Sequence, residues 1–212
     1  MRLNASVSGT ITGTGLIAEN LSGTCTIAGS VTLIGNLSGN VTVASGGTLV
    51  IDGDVTHDWH GTLTNAGTVV FKAGYIQGWR DGGVASAIVN QAGAVFEVQG
   101  DTSMNARNGA DDLSFTNAGT LRRTTSAGTA YLSCAFANTG TIAVQTGTLY
   151  LGATVNNAGP VTVSAGAQAT FGSTTSLQLG TVFSGAGTVR LDSTVTVGSG
   201  VTLSGASTMR LN

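Results

Sequence analysis

NASVSGTITGTGLIAE (residues 4–19), NLSGTCTIAGSVTLIG (20–35) and NLSGNVTVASGGTLVI (36–51) follow one another without a break, three units of sixteen residues each. Their columns agree in character. Ile11, Ile27 and Val43 share one position, and Ile17, Leu33 and Leu49 share another. Ser6, Ser22 and Ser38 form a polar column, and Thr10, Thr26 and Thr42 stand beside the first apolar one. A period this short is too small for a helical repeat or a propeller blade, but it suits one coil of a β-solenoid. A single coil cannot bury its inward side chains alone. Stacking sets equivalent residues about 4.8 Å apart and lets each backbone pair with the coils above and below. Asn4, Asn20 and Asn36 are expected at coil corners, because asparagine suits turns, bonds local backbone and can bond its own kind in a ladder.

Beyond Asp52 the motif changes and the logic persists. An Asn-x-Gly turn followed by a strand recurs as NAGTVVF from Asn65, NAGTLRR from Asn117, NTGTIAV from Asn138 and NAGPVTV from Asn157. NQAGAVFEV from Asn90 is the same motif with one residue inserted, so these five asparagines join the corner set. GTAYL at Gly128, GTLYL at Gly147 and GAQATF at Gly166 start further strands, and SGAGTVRL from Ser184 returns as SGASTMRL from Ser204. Uneven spacing of the motifs predicts strands of constant length joined by loops of variable length. The fold class expected is all-β, a single elongated parallel β-solenoid (β-helix). It divides into regular sixteen-residue coils over 1–51, loop-decorated coils over 52–123 and NxGT-type coils over 124–212.

Composition agrees. Only 8% of residues are charged while 41% are apolar, and glycine supplies 33 positions against a single proline. Val, Ile and Leu alternate with Thr and Ser, which is strand chemistry, and no run shows helical spacing. A formal charge of −2 lacks the basic stripe that nucleic acid requires. No apolar run approaches the roughly 18 residues of a membrane span. No leader precedes the first repeat, which we read as a segment of a longer chain rather than as a cytoplasmic address. Cys25 and Cys134 each alternate with apolar neighbours and are expected as buried free thiols, with no cofactor or metal.

The run from about Trp79 to Leu203, through FTNAGTLRRTTSAGTAYL, FANTGTIAVQTGTLYL and FSGAGTVRL, resembles the NxGT-type β-solenoid repeats of large bacterial surface and secreted proteins. These are similar in style to filamentous-haemagglutinin and autotransporter-passenger adhesins. The resemblance implies an extracellular or cell-surface protein that works as stalk, spacer or adhesive arm. Met209-Arg210-Leu211-Asn212 repeats Met1-Arg2-Leu3-Asn4, which suggests a tandem array or copies stacked end to end.

Eight of the ten acidic residues, both histidines and both tryptophans fall between Asp52 and Asp112. Any recognition site is therefore expected in this middle third. Asp52 to His60 offers metal-ligand types but no third ligand and no helical spacing, and is read as a polar, solvated loop. Trp59, Gln77, Trp79, Arg80, Asp81, Arg107 and Asp111 supply the aromatic plane, carboxylates, amide and guanidinium groups of a sugar-binding groove. The plainer alternative has Trp79 at the core edge and Arg80 paired with Asp81. A polysaccharide-cleaving β-helix, including the phage tail-fibre type, would need paired carboxylates such as Asp81 with Asp101 or Asp111. No nucleophile elbow appears, and we expect a structural or adhesive protein rather than an enzyme. A flat pair of threonine ranks, suited to ice, would need Thr12 to be repeated, and Ala28 and Ala44 follow instead.

Overall fold

The computed structural model describes residues 2–201 and 208–211, with the backbone alone for residues 2–5 and Ala110. It is a parallel β-solenoid with three strands to each coil. From Val84–Asn90 to Thr175–Leu177 every strand pairs with the one three places later. Leu113–Asn117 pairs with Ala135–Asn138, Thr120–Arg123 with Thr141–Val144, and Thr129–Ser133 with Thr148–Leu151. Three faces result. The first carries the column Ile11, Ile27, Val43, Asn65, Asn90, Asn117, Asn138, Asn157, Leu177 and Val197. In the early coils the third face runs straight into the first through Gly23, Gly39 and Gly61. Leu16–Ile27, Leu37–Val43 and Thr56–Asn65 are therefore long unbroken strands.

Alternation along each strand decides what is inside. Val41 and Val43, Leu49 and Ile51, and Leu149 and Leu151 are buried, with Thr42, Val50 and Tyr150 turned outward. A buried Val, Leu, Ile or Phe side chain is worth about 1.5–3 kcal/mol, and stacked Phe96, Phe115 and Phe136 form an aromatic spine within the core. Cys25 and Cys134 are buried free thiols, as their apolar neighbours predict. Among the described residues no helix is long and apolar enough to cross a membrane.

The interior is not purely aliphatic. Asn65, Asn90, Asn117, Asn138 and Asn157 sit at no more than 1% exposure, in the inward column that Ile11, Ile27 and Val43 begin and Leu177 resumes. Each Nδ2 donates to the Oδ1 of the next, at 2.7, 2.7, 2.6 and 2.7 Å in turn. The ladder ends where Asn157 Nδ2 donates to Thr181 Oγ1 at 3.1 Å. None of these five asparagines has positive φ, so it is their amides, not a left-handed backbone, that serve the structure here. The earlier asparagines play a different part. Asn20 and Asn36 lie on the third face, half-buried, where their Oδ1 atoms accept the backbone N–H of Asn36 and Asp58, each at 2.9 Å. Asn4 pairs with Asn20 in the same column.

The columns through Ser6, Ser22 and Ser38 and through Thr10, Thr26 and Thr42 are those of the sequence repeat. Ile17, Leu33 and Leu49 are not one column. Leu16 stacks on Val31 and Leu49, and Ala18 on Leu33 and Ile51, because the corner after Ile27 is shorter than both the corner after Ile11 and the corner after Val43. The outward partner of the threonine column is likewise Thr24, Asn40 and Thr62, with Thr12, Ala28 and Ala44 displaced to the corner. None of the 18 charged residues lies in a first-face strand from Thr24 onward.

Candidate functional site

Charge and aromatic side chains gather on the outer side of the third face, over three successive coils. Thr56 stands on Tyr75 and Ser103, and Asp58 on Gln77 and Asn105. One step further along the strands, His60, Trp79 and Arg107 follow in the same order. The result is a stack along the solenoid axis. The His60 ring lies 5.1 Å from that of Trp79 at 26°, and the Arg107 guanidinium lies 3.7 Å from the Trp79 ring centroid on the other side. Trp79 Nε1 donates to Asp58 Oδ1 at 2.8 Å, and His60 Nδ1 meets Asp81 Oδ2 at 2.7 Å. Arg107 Nη1 donates to Gln77 Oε1 at 3.3 Å.

Two insertions crowd this corner. Arg80–Asp81 and Val84–Ala85 form an antiparallel hairpin closed by Gly82 and Gly83, with φ of +54° and +86°. Positive φ at both central residues is the requirement of a tight two-residue hairpin turn, which glycine meets without strain. Ser86 ties off the base, its Oγ donating to the carbonyls of Trp59 and Trp79. Arg80 reaches the second insertion, a short 3-10 turn at Ala110–Asp112. Its Nε donates to Asp112 Oδ1 at 3.0 Å and its Nη2 to the Asp111 carbonyl at 2.6 Å. The Asn108 backbone N–H and the Arg80 guanidinium hold the Asp112 carboxyl below the usual carboxylate range.

Six of the seven residues proposed from the sequence thus come together: Gln77, Trp79, Arg80, Asp81, Arg107 and Asp111. Trp59 does not. It is fully buried and in register with Gly78, where an added Cβ would strike the Leu113 side chain. His57 is equally buried, with Nδ1 donating to the Gly35 carbonyl at 2.6 Å. Of the stretch Asp52 to His60 read as a solvated loop, Asp52 to Val55 is a bend, but Thr56 to His60 opens the strand Thr56–Asn65 and puts two large side chains, His57 and Trp59, in the core. Arg80 pairs with Asp112 rather than Asp81. Asp81 and Asp101 sit at opposite ends of the third-face strands, so they do not form a carboxylate pair. Both faces of Trp79 are covered, which leaves its edge rather than its plane to solvent.

An open groove of about 470 Å³ lies at the other end of these strands, lined by Asp54, Val55, Thr56, Tyr75, Asp101 and Ser103. The Ser126 hydroxyl and the Arg123 guanidinium hold the Asp101 carboxyl below its ordinary value. Arg123 is fully buried. It donates to Asp101 Oδ1 and the Gly100 carbonyl, both at 2.6 Å, and to the Gly128 carbonyl at 3.0 Å. Neither the groove nor His60, Asp58 and Asp112 could be assigned from sequence, because each depends on the number of residues in the intervening coil. Among the described residues no three His, Cys, Asp or Glu side chains converge as a metal set. No protein-family model, curated protein or solved structure matches this chain.

Proposed function

We propose that this chain is a structural and adhesive repeat segment of an extracellular bacterial surface protein or fibre, in the style of filamentous-haemagglutinin and autotransporter-passenger adhesins. The observation that supports this reading most is the unbroken first-face column from Ile11 to Val197, which includes the asparagine ladder. Coils in continuous register make a stiff rod, growing by about 4.8 Å with each one added. Such a rod suits a stalk or spacer.

The repeated tetrapeptide supports continuation into neighbouring repeats or into further copies of the chain. Leu211 stands on Leu191, Phe171, Leu151, Leu132, Met104, Ile76 and His57. The residue after His57 is Asp58, which belongs to the column of Asn36, Asn20 and Asn4. Met209–Leu211 therefore leads toward the column that Asn4 opens, while Met1 and Asn212 themselves lie outside the described residues. Electron microscopy of the purified chain tests the reading, with filaments of coaxial rods expected. A chain that stays monomeric at high concentration, and cells whose surface antibodies to it fail to label, would overturn it. A second reading, a surface that binds glycans, is favoured by the polar and aromatic third face of the middle coils.

A further inference from the structure

The groove is one end of a longer feature. Thr56, Tyr75, Ser103, Tyr131 and Tyr150 form a single outward column along the axis of the solenoid, continued by the buried Thr170 and then by Arg190, which is paired with Asp192. From Tyr75 to Tyr150 it covers three coil steps, about 14 Å. Tyr131 is 45% exposed, and its ring lies 5.4 Å from that of Tyr150 at 55°. Tyr150 has a seat of its own. A Cβ at Gly152 or Gly172 would collide with the Tyr150 ring, so these two glycines let the ring lie flat across the sheet with one face outward. A flat aromatic ring held against backbone is a stacking platform.

At the groove end the chemistry is acidic and rich in hydroxyls. Asp54 is exposed, and no described residue bonds to it or pairs with it. The nearby cations are already matched, Lys72 by Asp52 at 2.7 Å and Arg123 by Asp101 at 2.6 Å. The Tyr75 hydroxyl accepts from Asn105 Nδ2 at 2.7 Å, which leaves its own proton to donate. Thr56 and Ser103 add two more hydroxyls to the lining. Below the floor, the fully buried His57 Nε2 has no partner and abuts Gly74, where any side chain would strike it.

We propose that this column is a binding track for an extended amine-bearing polysaccharide, a hexosamine polymer lying along the solenoid axis. The Asp54 groove takes a protonated amine beside Tyr75, and the Tyr131–Tyr150 platform takes the apolar face of a sugar further along. The unneutralised carboxylate disfavours uronate or sialate chains, and the length of the column selects an oligomer over a single sugar. This deepens the adhesive half of the function proposed above.

Calorimetric titration of the intact chain with a glucosamine hexamer, an N-acetylglucosamine hexamer and a galacturonate hexamer tests it. The glucosamine hexamer is expected to bind and to weaken with added salt. Asp54→Asn should lower its affinity about fivefold and flatten the salt dependence. Tyr131→Ala should lower it about tenfold while leaving glucosamine dimer binding unchanged. Both side chains are exposed, and unchanged melting temperatures would confirm that the variants fold. Equal affinity for the acetylated hexamer, tighter binding of galacturonate, or no binding by any of the three overturns the proposal. Filaments without glucosamine binding would sink the track alone, whereas binding by a chain that never assembles would sink the rod reading and leave the track standing.

Discussion

Replacing Asn117 by valine removes the central rung of the buried ladder. The site can hold an aliphatic side chain, since Val43 and Leu177 occupy the same column. The cost falls on the neighbours. Asn138 Oδ1 loses its donor at 2.6 Å, and Asn90 Nδ2 loses its acceptor at 2.7 Å while keeping the Thr120 carbonyl at 3.2 Å. An orphaned buried acceptor costs about 1–3 kcal/mol, and the weakened donor about 1 kcal/mol more. Burying valine in place of an amide returns about 1 kcal/mol, leaving a net loss near 2 kcal/mol. Asn138→Val should cost much the same, by orphaning Asn157 Oδ1. The double variant should cost about 3 kcal/mol less than the sum, because the rung between the two positions then leaves neither a stranded acceptor nor a weakened donor. Urea denaturation followed by circular dichroism, at constant m-value, measures the cycle. Additivity within about 0.5 kcal/mol would show that the amides do not act as a connected chain.

Glu97 offers a pH test. Burial pushes its carboxyl up, but hydrogen bonds from Gln99, Arg122 and Thr124 outweigh this and hold it below the usual range. Its stabilisation is therefore complete above the unfolded glutamate value of about 4.3 and disappears as pH falls through the folded value. The melting-temperature gap between the wild type and Glu97→Gln should close on acidification, and a gap independent of pH would refute the assignment. Burial raises the Cys134 thiol to about 12 and also raises that of Cys25. Ellman's reagent at pH 8 should therefore find neither thiol in the native chain and both in denaturant; prompt native labelling would contradict the packing. Gly140→Ala should cost about 1–3 kcal/mol, because the added Cβ would drive into the Gly119 carbonyl of the coil before; a neutral urea midpoint would refute so close a stacking of turns.

The sixteen-residue period made the early first face legible residue by residue, since Ile11, Ile27 and Val43 are separated by coils of equal length. Ile17, Leu33 and Leu49 defied the same counting because a corner changed length between them. Phase was harder to read than period. In Thr56–Asn65, His57 alternates with Asp58 and Trp59 with His60, so the strand reads equally well with either set inward. Leu37 below Trp59 and Val41 below Leu63 decide it. The later asparagines look alike in sequence to Asn4, Asn20 and Asn36. Only the register shows that they occupy the column of Ile27 and Val43. The gathering of polar residues in the middle third was legible from composition alone. The stack of His60, Trp79 and Arg107 was not, because it requires knowing that a hairpin intervenes between Trp79 and the next coil.

That hairpin leaves the rod undisturbed. Gly78 still meets Ala106 before it, and Ser86 still meets Leu113 after it. Scaffold and ornament are thereby decoupled. A corner can lengthen, shorten or exchange its sequence while the columns on either side keep their partners. The turn between Gly82 and Gly83 is accordingly a natural port for foreign peptides, where an epitope or a metal tag could be displayed at a fixed height along the axis without cost to the structure that carries it.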